Sequence, residues 1–151
     1  MLSGFVEYNA QQYNDLRFNL LLNLEESRDP KELPYADSVG IPTIGVGFNI
    51  KIKDVRNVIL NQLGIDPLTK NLSEQKYISR IISIVDKKWT NNTSGLKSAL
   101  DKVMKDRAED SSVLALNKRT TFRLEASPTN EIRNVFDNLI EQYGANITVE
   151  K

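Results

Sequence analysis

From Ala10 to Ser27 apolar side chains recur every three or four positions, at Tyr13, Leu16, Leu20 and Leu24 with Leu21 beside them, which is the spacing of a helix that buries one stripe. The pattern then breaks. Asp29-Pro30 and Leu33-Pro34 take the residues before proline out of helical backbone, so Arg28 to Pro34 is expected to be a loop. From Tyr35 to Asn49 short β-type segments turn around Gly40 and Pro42, with further glycines at 45 and 47. Beyond Lys53 the helical period returns. Val55, Val58, Ile59 and Leu63 share a face that ends at Gly64, a predicted C-terminal cap. Tyr77, Ile78, Ile81, Ile82 and Val85 mark a second helix reaching Trp89. After a loop from Asn91 to Gly95, Leu96, Leu100, Val103 and Met104 mark a third, and Arg107 to Asp110 is expected to be charged and exposed. Pro128 opens a last helix with the stripe Ile132, Val135, Phe136, Leu139, Ile140 and Tyr143, and Gly144 to Lys151 is expected to be an exposed tail or the stump of a chain that continues elsewhere. The predicted class is α+β, mainly helical with a small β segment beside the first helix. With no repeat or linker in sight, residues 1–151 are expected to form one domain.

The 151 residues are enough for a real core, and 40% hydrophobic with 26% charged residues excludes disorder as the default. Lys plus Arg and Asp plus Glu balance at 20 each, so the basic stripe that a nucleic-acid partner requires is not expected. Cysteine and histidine are both absent. Their absence removes disulfides, thiolate nucleophiles, imidazole bases and most zinc sites, so any acid-base chemistry falls to carboxylates. Met1 to Asn23 carries Glu7 and Asp15 among its apolar residues, which fits neither a secretory signal nor a membrane span and leads to an expectation of cytoplasmic synthesis.

Two carboxylates stand out. Glu25 and Glu26 sit at the predicted C-terminal end of the first helix, where they oppose its dipole; they are either a solvated end or acids whose pKa that setting raises. Asp37, before Ser38 and Gly40, is either a turn-former or the second carboxylate of a site. Thr43 by itself is a routine strand residue, and Trp89 reads as core. The pairs Glu25-Glu26 and Glu109-Asp110 lack the spacing a hard cation needs, so no metal and no cofactor is expected.

The run Leu22-Asn-Leu-Glu-Glu-Ser27, a short loop, Tyr35-Ala-Asp37 and then Gly40-Ile-Pro-Thr-Ile-Gly-Val-Gly47 resembles the catalytic signature of the phage-type lysozymes and pesticin-like muramidases. The likeness covers roughly residues 16 to 50. Phe122 to Tyr143 more weakly resembles a later helix of the pesticin-like branch. The resemblance implies a lysozyme-like fold and a glycoside hydrolase that cleaves the β-1,4 bond from N-acetylmuramic acid to N-acetylglucosamine. Glu26 is then the general acid, Glu25 its alternative, Asp37 and Thr43 the groups that handle water, and Tyr35, Gly45, Gly47, Phe48 and Asn49 the substrate contacts. Inversion by direct attack of water is the implied outcome.

This chain departs from the family in three places. Its loop between Glu26 and Asp37 is longer, Phe48 stands where many members carry histidine, and the chain ends soon after the last helix. Either the second lobe is built differently from residues 70 to 143, with Trp89 and Met104 in its core, or the chain is part of a larger assembly. In the second case Val135, Leu139 and Ile140 are expected to be exposed or covered by another chain. The implied partners are peptidoglycan glycan strands and an immunity protein or partner chain. The implied setting is the bacterial cell wall, reached as a phage endolysin or as a delivered toxin domain. A non-catalytic lysozyme-fold binding domain and a lytic transglycosylase remain the alternatives.

Overall fold

In the computed structural model, which describes residues 14–16, 18 and 30–143, three short strands precede four helices. Residues 14–16 and 18 have helical backbone, while Glu25 and Glu26 lie outside the described residues. The strands β1 (Lys31–Ala36), β2 (Pro42–Gly45) and β3 (Phe48–Asn49) form an antiparallel sheet in the order β1-β2-β3. β1 therefore begins inside the segment expected to be a loop. Pro34 is tolerated because the register is irregular between Lys31 and Tyr35, on an edge strand where a missing N–H breaks no ladder bond. The outer edge of β1 is covered: Glu32 C=O accepts from Leu124 N–H at 2.9 Å, and Ala36 N–H donates to Thr93 Oγ1 at 3.0 Å.

The helices are α1 (Lys53–Gln62), α2 (Leu72–Val85), α3 (Thr93–Ala108) and α4 (Glu131–Tyr143). α1 follows β3 through a tight turn, pinned by Arg56 Nη1 donating to the Lys51 carbonyl at 3.1 Å. It ends as its sequence predicts, with Gly64 in left-handed backbone and Ile65 N–H reaching back to Leu60 C=O at 2.8 Å. Asn71 and Asn92 cap α2 and α3 by accepting from Glu74 N–H and Gly95 N–H. α2 stops at Val85, short of Trp89. α4 opens at Glu131 rather than at Pro128, with Asn130 Oδ1 accepting from Arg133 N–H.

α1 packs on α4, α2 on α3, and α3 on β1. One core joins Ile44, Phe48 and Ile50 of the sheet region to the apolar stripes of all four helices, with Met104 fully buried and Trp89 packed partly buried against it. Val135 and Leu139 are buried within this chain, and Ile140 packs against the same core. Arg133 ties α4 to the first helical segment, pairing with Asp15 and lying over the Phe18 ring. No described helix is long and apolar enough to cross a membrane.

Arg107 overturns the expectation of an exposed charged stretch. It is 1% exposed, and its Nε and Nη2 donate to Glu74 at 2.5 and 2.9 Å, while Nη2 also reaches Gly64 C=O at 3.2 Å. Its position explains why: Leu96, Leu100, Val103 and Arg107 follow one another at helical spacing on the buried face of α3.

Candidate active site

The turn between β1 and β2 is built around the side chain of Asp37. Oδ1 accepts from both Val39 N–H and Ile41 N–H at 2.9 Å, and the main chain closes the turn with Asp37 N–H to Ile41 C=O and Gly40 N–H to Asp37 C=O, each 3.0 Å. The turn-former reading of Asp37 thus holds for one carboxylate oxygen. The hydrogen bonds made to it among the described residues fall on Oδ1, which leaves Oδ2 as an acceptor.

Thr43 lies in the central strand, 5% exposed, and its hydroxyl donates to Ile41 C=O at 2.9 Å. With its proton committed, Oγ1 can only accept from a further partner. Register puts Thr43 opposite Tyr35 on β1 and opposite Asn49 on β3. Directly paired residues of antiparallel strands share a face, so Tyr35, Thr43 and Asn49 form one row across the sheet. Asn49 Oδ1 accepts from Lys51 N–H at 3.0 Å, which fixes the amide at the end of β3.

Phe48 pairs with Ile44 and belongs to the core, so its ring is buried and is not an open cleft wall. Gly45 has φ +70°, and a Cβ there would stand 2.7 Å from that ring. Gly45 therefore makes room for Phe48, a packing role. Gly47 is exposed in the following turn with φ +89°.

Contacts that sequence reading missed hold this hairpin against the helices. Trp89 N–H donates to Gly40 C=O at 2.8 Å, Thr93 Oγ1 takes Ala36 N–H, and a Cβ on Gly40 would meet Thr90 Oγ1 at 2.6 Å. They join residues about fifty positions apart, and no local pattern announces them. Glu32 likewise anchors the segment before α4, accepting from Ala126 N–H at 2.7 Å and Arg123 at 2.6 Å. The Ala126 bond above all, with Arg123 adding, holds its carboxyl below the usual range.

Chemically, the arrangement presents two oxygens with accepting capacity, Asp37 Oδ2 and Thr43 Oγ1, on groups fixed by one backbone residue. An open groove of about 730 Å³ between α2 and α3, lined among others by Lys76, Arg80, Ser83 and Lys102, shares no residue with this site. Among the described residues no cluster of three or more potential metal ligands occurs. No family model, curated protein or solved structure matches this chain.

Proposed function

We propose that the chain is a lysozyme-like muramidase that hydrolyses the bond from N-acetylmuramic acid to N-acetylglucosamine in peptidoglycan. One observation carries the reading beyond the motif: Asp37 and Thr43 are both tethered to Ile41 and keep accepting oxygens for a water molecule. In the proposed reaction Glu26 donates its proton to the glycosidic oxygen as the bond to the anomeric carbon breaks. A water held by Thr43 Oγ1 attacks that carbon from the opposite face, and Asp37 takes the proton it releases. Tyr35 and Asn49, in the same row as Thr43, are the substrate contacts in this scheme. The product carries a reducing muramic-acid end. The enzyme would meet its substrate at the cell wall, as an endolysin or as a delivered effector whose producer guards itself with an immunity protein.

The decisive experiment measures turbidity clearing of purified peptidoglycan by the wild type beside Glu26→Gln, with the ends of the products identified. Clearing by the wild type, its loss in the variant and reducing ends support the reading. Loss in Glu25→Gln instead moves the acid by one residue. Anhydro-muramic ends indicate a transglycosylase, and binding to the wall without clearing indicates a non-catalytic domain.

A further inference from the structure

We infer that Thr93, seconded by Trp89, is a positioning residue for Asp37, so that the α2–α3 junction sets the geometry of the candidate site. The inference rests on the muramidase reading above. Asp37 lies between two hydrogen bonds that come from outside the sheet: Thr93 Oγ1 accepts from Ala36 N–H at 3.0 Å just before it, and Trp89 N–H donates to Gly40 C=O at 2.8 Å just after it. The donor and the acceptor stand on a rigid mount. Thr93 is the first residue of α3, whose cap Asn92 binds Gly95 N–H at 3.0 Å, and the Trp89 indole is fixed to Ile84 C=O at 2.8 Å near the end of α2. Asn92 N–H closes the short turn between them on Trp89 C=O at 2.8 Å.

The approach is also close enough to be specific. Gly40 has φ +86°, and a Cβ there would lie 2.6 Å from Thr90 Oγ1 and 2.9 Å from Thr90 N, so the hairpin and the junction fit only with glycine at that position. Within the hairpin itself Asp37 orients its carboxylate through Val39 and Ile41 N–H. Those bonds fix the carboxylate relative to the turn, and the Thr93 and Trp89 bonds fix the turn relative to the helices. A shift of the whole turn would leave the first set intact while moving Oδ2 relative to any substrate bound across the sheet. Displacements of this kind, remote from the chemistry, can cost about 100-fold in rate.

The test compares Thr93→Val, which keeps the shape and loses the acceptor, with Thr93→Ser, which keeps the hydroxyl, each alone and combined with Asp37→Asn. Exchange rates of the Ala36, Val39 and Ile41 amides are followed in the same proteins. Expected are a loss of kcat of roughly 10- to 100-fold in Thr93→Val with KM little changed, recovery in Thr93→Ser, and faster exchange of the Ala36 amide in Thr93→Val while the Val39 and Ile41 amides keep their protection. In the Asp37→Asn background Thr93→Val should add no further loss, because it acts through the carboxylate already removed. Should Thr93→Val fail to fold, Trp89→Phe, which loses only the indole bond to Ile84, is expected to show the same non-additivity with Asp37→Asn. Additive losses, or an unchanged kcat, would overturn the positioning role while leaving the muramidase reading intact. A wild type without muralytic activity overturns both.

Discussion

Asp37 and Thr43 answer to opposite ends of the same residue: Ile41 gives its N–H to the Asp37 carboxylate and takes the Thr43 hydroxyl proton on its carbonyl, both at 2.9 Å. The two side chains therefore cannot shift independently. Each also has a structural job that must be separated from a chemical one. Asp37→Asn retains an oxygen for Val39 and Ile41 and removes only the charge, so the fold should persist while kcat falls by roughly 100-fold. Asp37→Ala deprives both amides of their acceptor and should also lower the melting temperature. Equal activity in wild type and Asp37→Asn, measured on purified peptidoglycan, would remove Asp37 from the mechanism.

Thr43→Val tests the other half of the pair. Valine keeps the β-branch that suits a buried central strand, so the sheet should survive, but the oxygen proposed to hold water is gone. The variant is expected to lose turnover more than affinity, and Thr43→Ser should recover most of it. If Thr43→Val loses stability and turnover in step with each other, the hydroxyl serves the Ile41 carbonyl alone.

Gly45→Ala is predicted to be costly for packing reasons. At φ +70° an alanine is strained, and its methyl would stand 2.7 Å from the Phe48 ring and 3.3 Å from Ile132. Together the strain and the overlap should lower stability by about 1–3 kcal/mol. Adding Phe48→Leu should relieve part of that loss, a non-additivity that chemical denaturation can read directly.

The helices were largely legible because their apolar stripes coincide with the faces that pack: Val58 and Ile59 on α1, Ile81 and Val85 on α2, Leu100 and Met104 on α3, Ile132 and Val135 on α4. The spacing of Arg107 from Leu100 and Val103 places it on the buried stripe, yet its charge points to solvent, because the carboxylate that makes burial tolerable comes from another helix. The resemblance puts Phe48 in the cleft, while its alternation with Ile44 and Val46, all three buried, points to the core. The braces on the hairpin were invisible for a different reason. A hydrogen bond such as Ala36 to Thr93 depends on how two distant elements dock, and threonine at the start of a helix carries no mark of its partner.

The buried pair of Glu74 and Arg107 allows a prediction about stability. Glu74→Gln leaves a guanidinium that is 1% exposed without its carboxylate, with Nη1 already lacking a hydrogen-bond partner among the described residues. Breaking such a pair from one side typically costs about 3–5 kcal/mol. Replacing both residues by apolar ones of similar volume, as in Glu74→Leu with Arg107→Met, should cost much less, because it removes the charge together with its compensation. Urea denaturation of the single and double variants separates the two cases. A double variant as unstable as Glu74→Gln would show that losing the Arg107 bond to the Gly64 carbonyl costs as much as leaving the charge uncompensated.

Glu131 provides the pH prediction. It opens α4 and is nearly buried, and its two oxygens accept from Arg119 at 2.8 and 2.5 Å, Gln62 at 3.1 Å and Glu125 N–H at 3.0 Å. One carboxylate thus fastens α4, the end of α1 and the segment between α3 and α4. The Arg119 bonds above all hold its carboxyl down at about 2 from an ordinary 4.5, against the opposing effect of burial. Because the folded value is the lower one, the unfolded chain binds the proton more readily. The stabilisation is therefore complete above about pH 4.5 and is lost as the pH falls through that value towards about 2. Asp110, also held at about 2, chiefly by the Ser112 hydroxyl and then by Tyr77, acts in the same window, so the acid limb of the wild type contains more than one group. Glu131→Gln isolates the contribution of interest, since it keeps the shape and part of the acceptor capacity while losing the charge that Arg119 pairs with. At pH 7 the variant should melt well below the wild type, and the gap should narrow steadily from pH 4.5 to pH 2. Melting curves that stay parallel across that range would mean that Glu131 holds the three segments by hydrogen-bond geometry alone, and that its ionisation is not what acid removes.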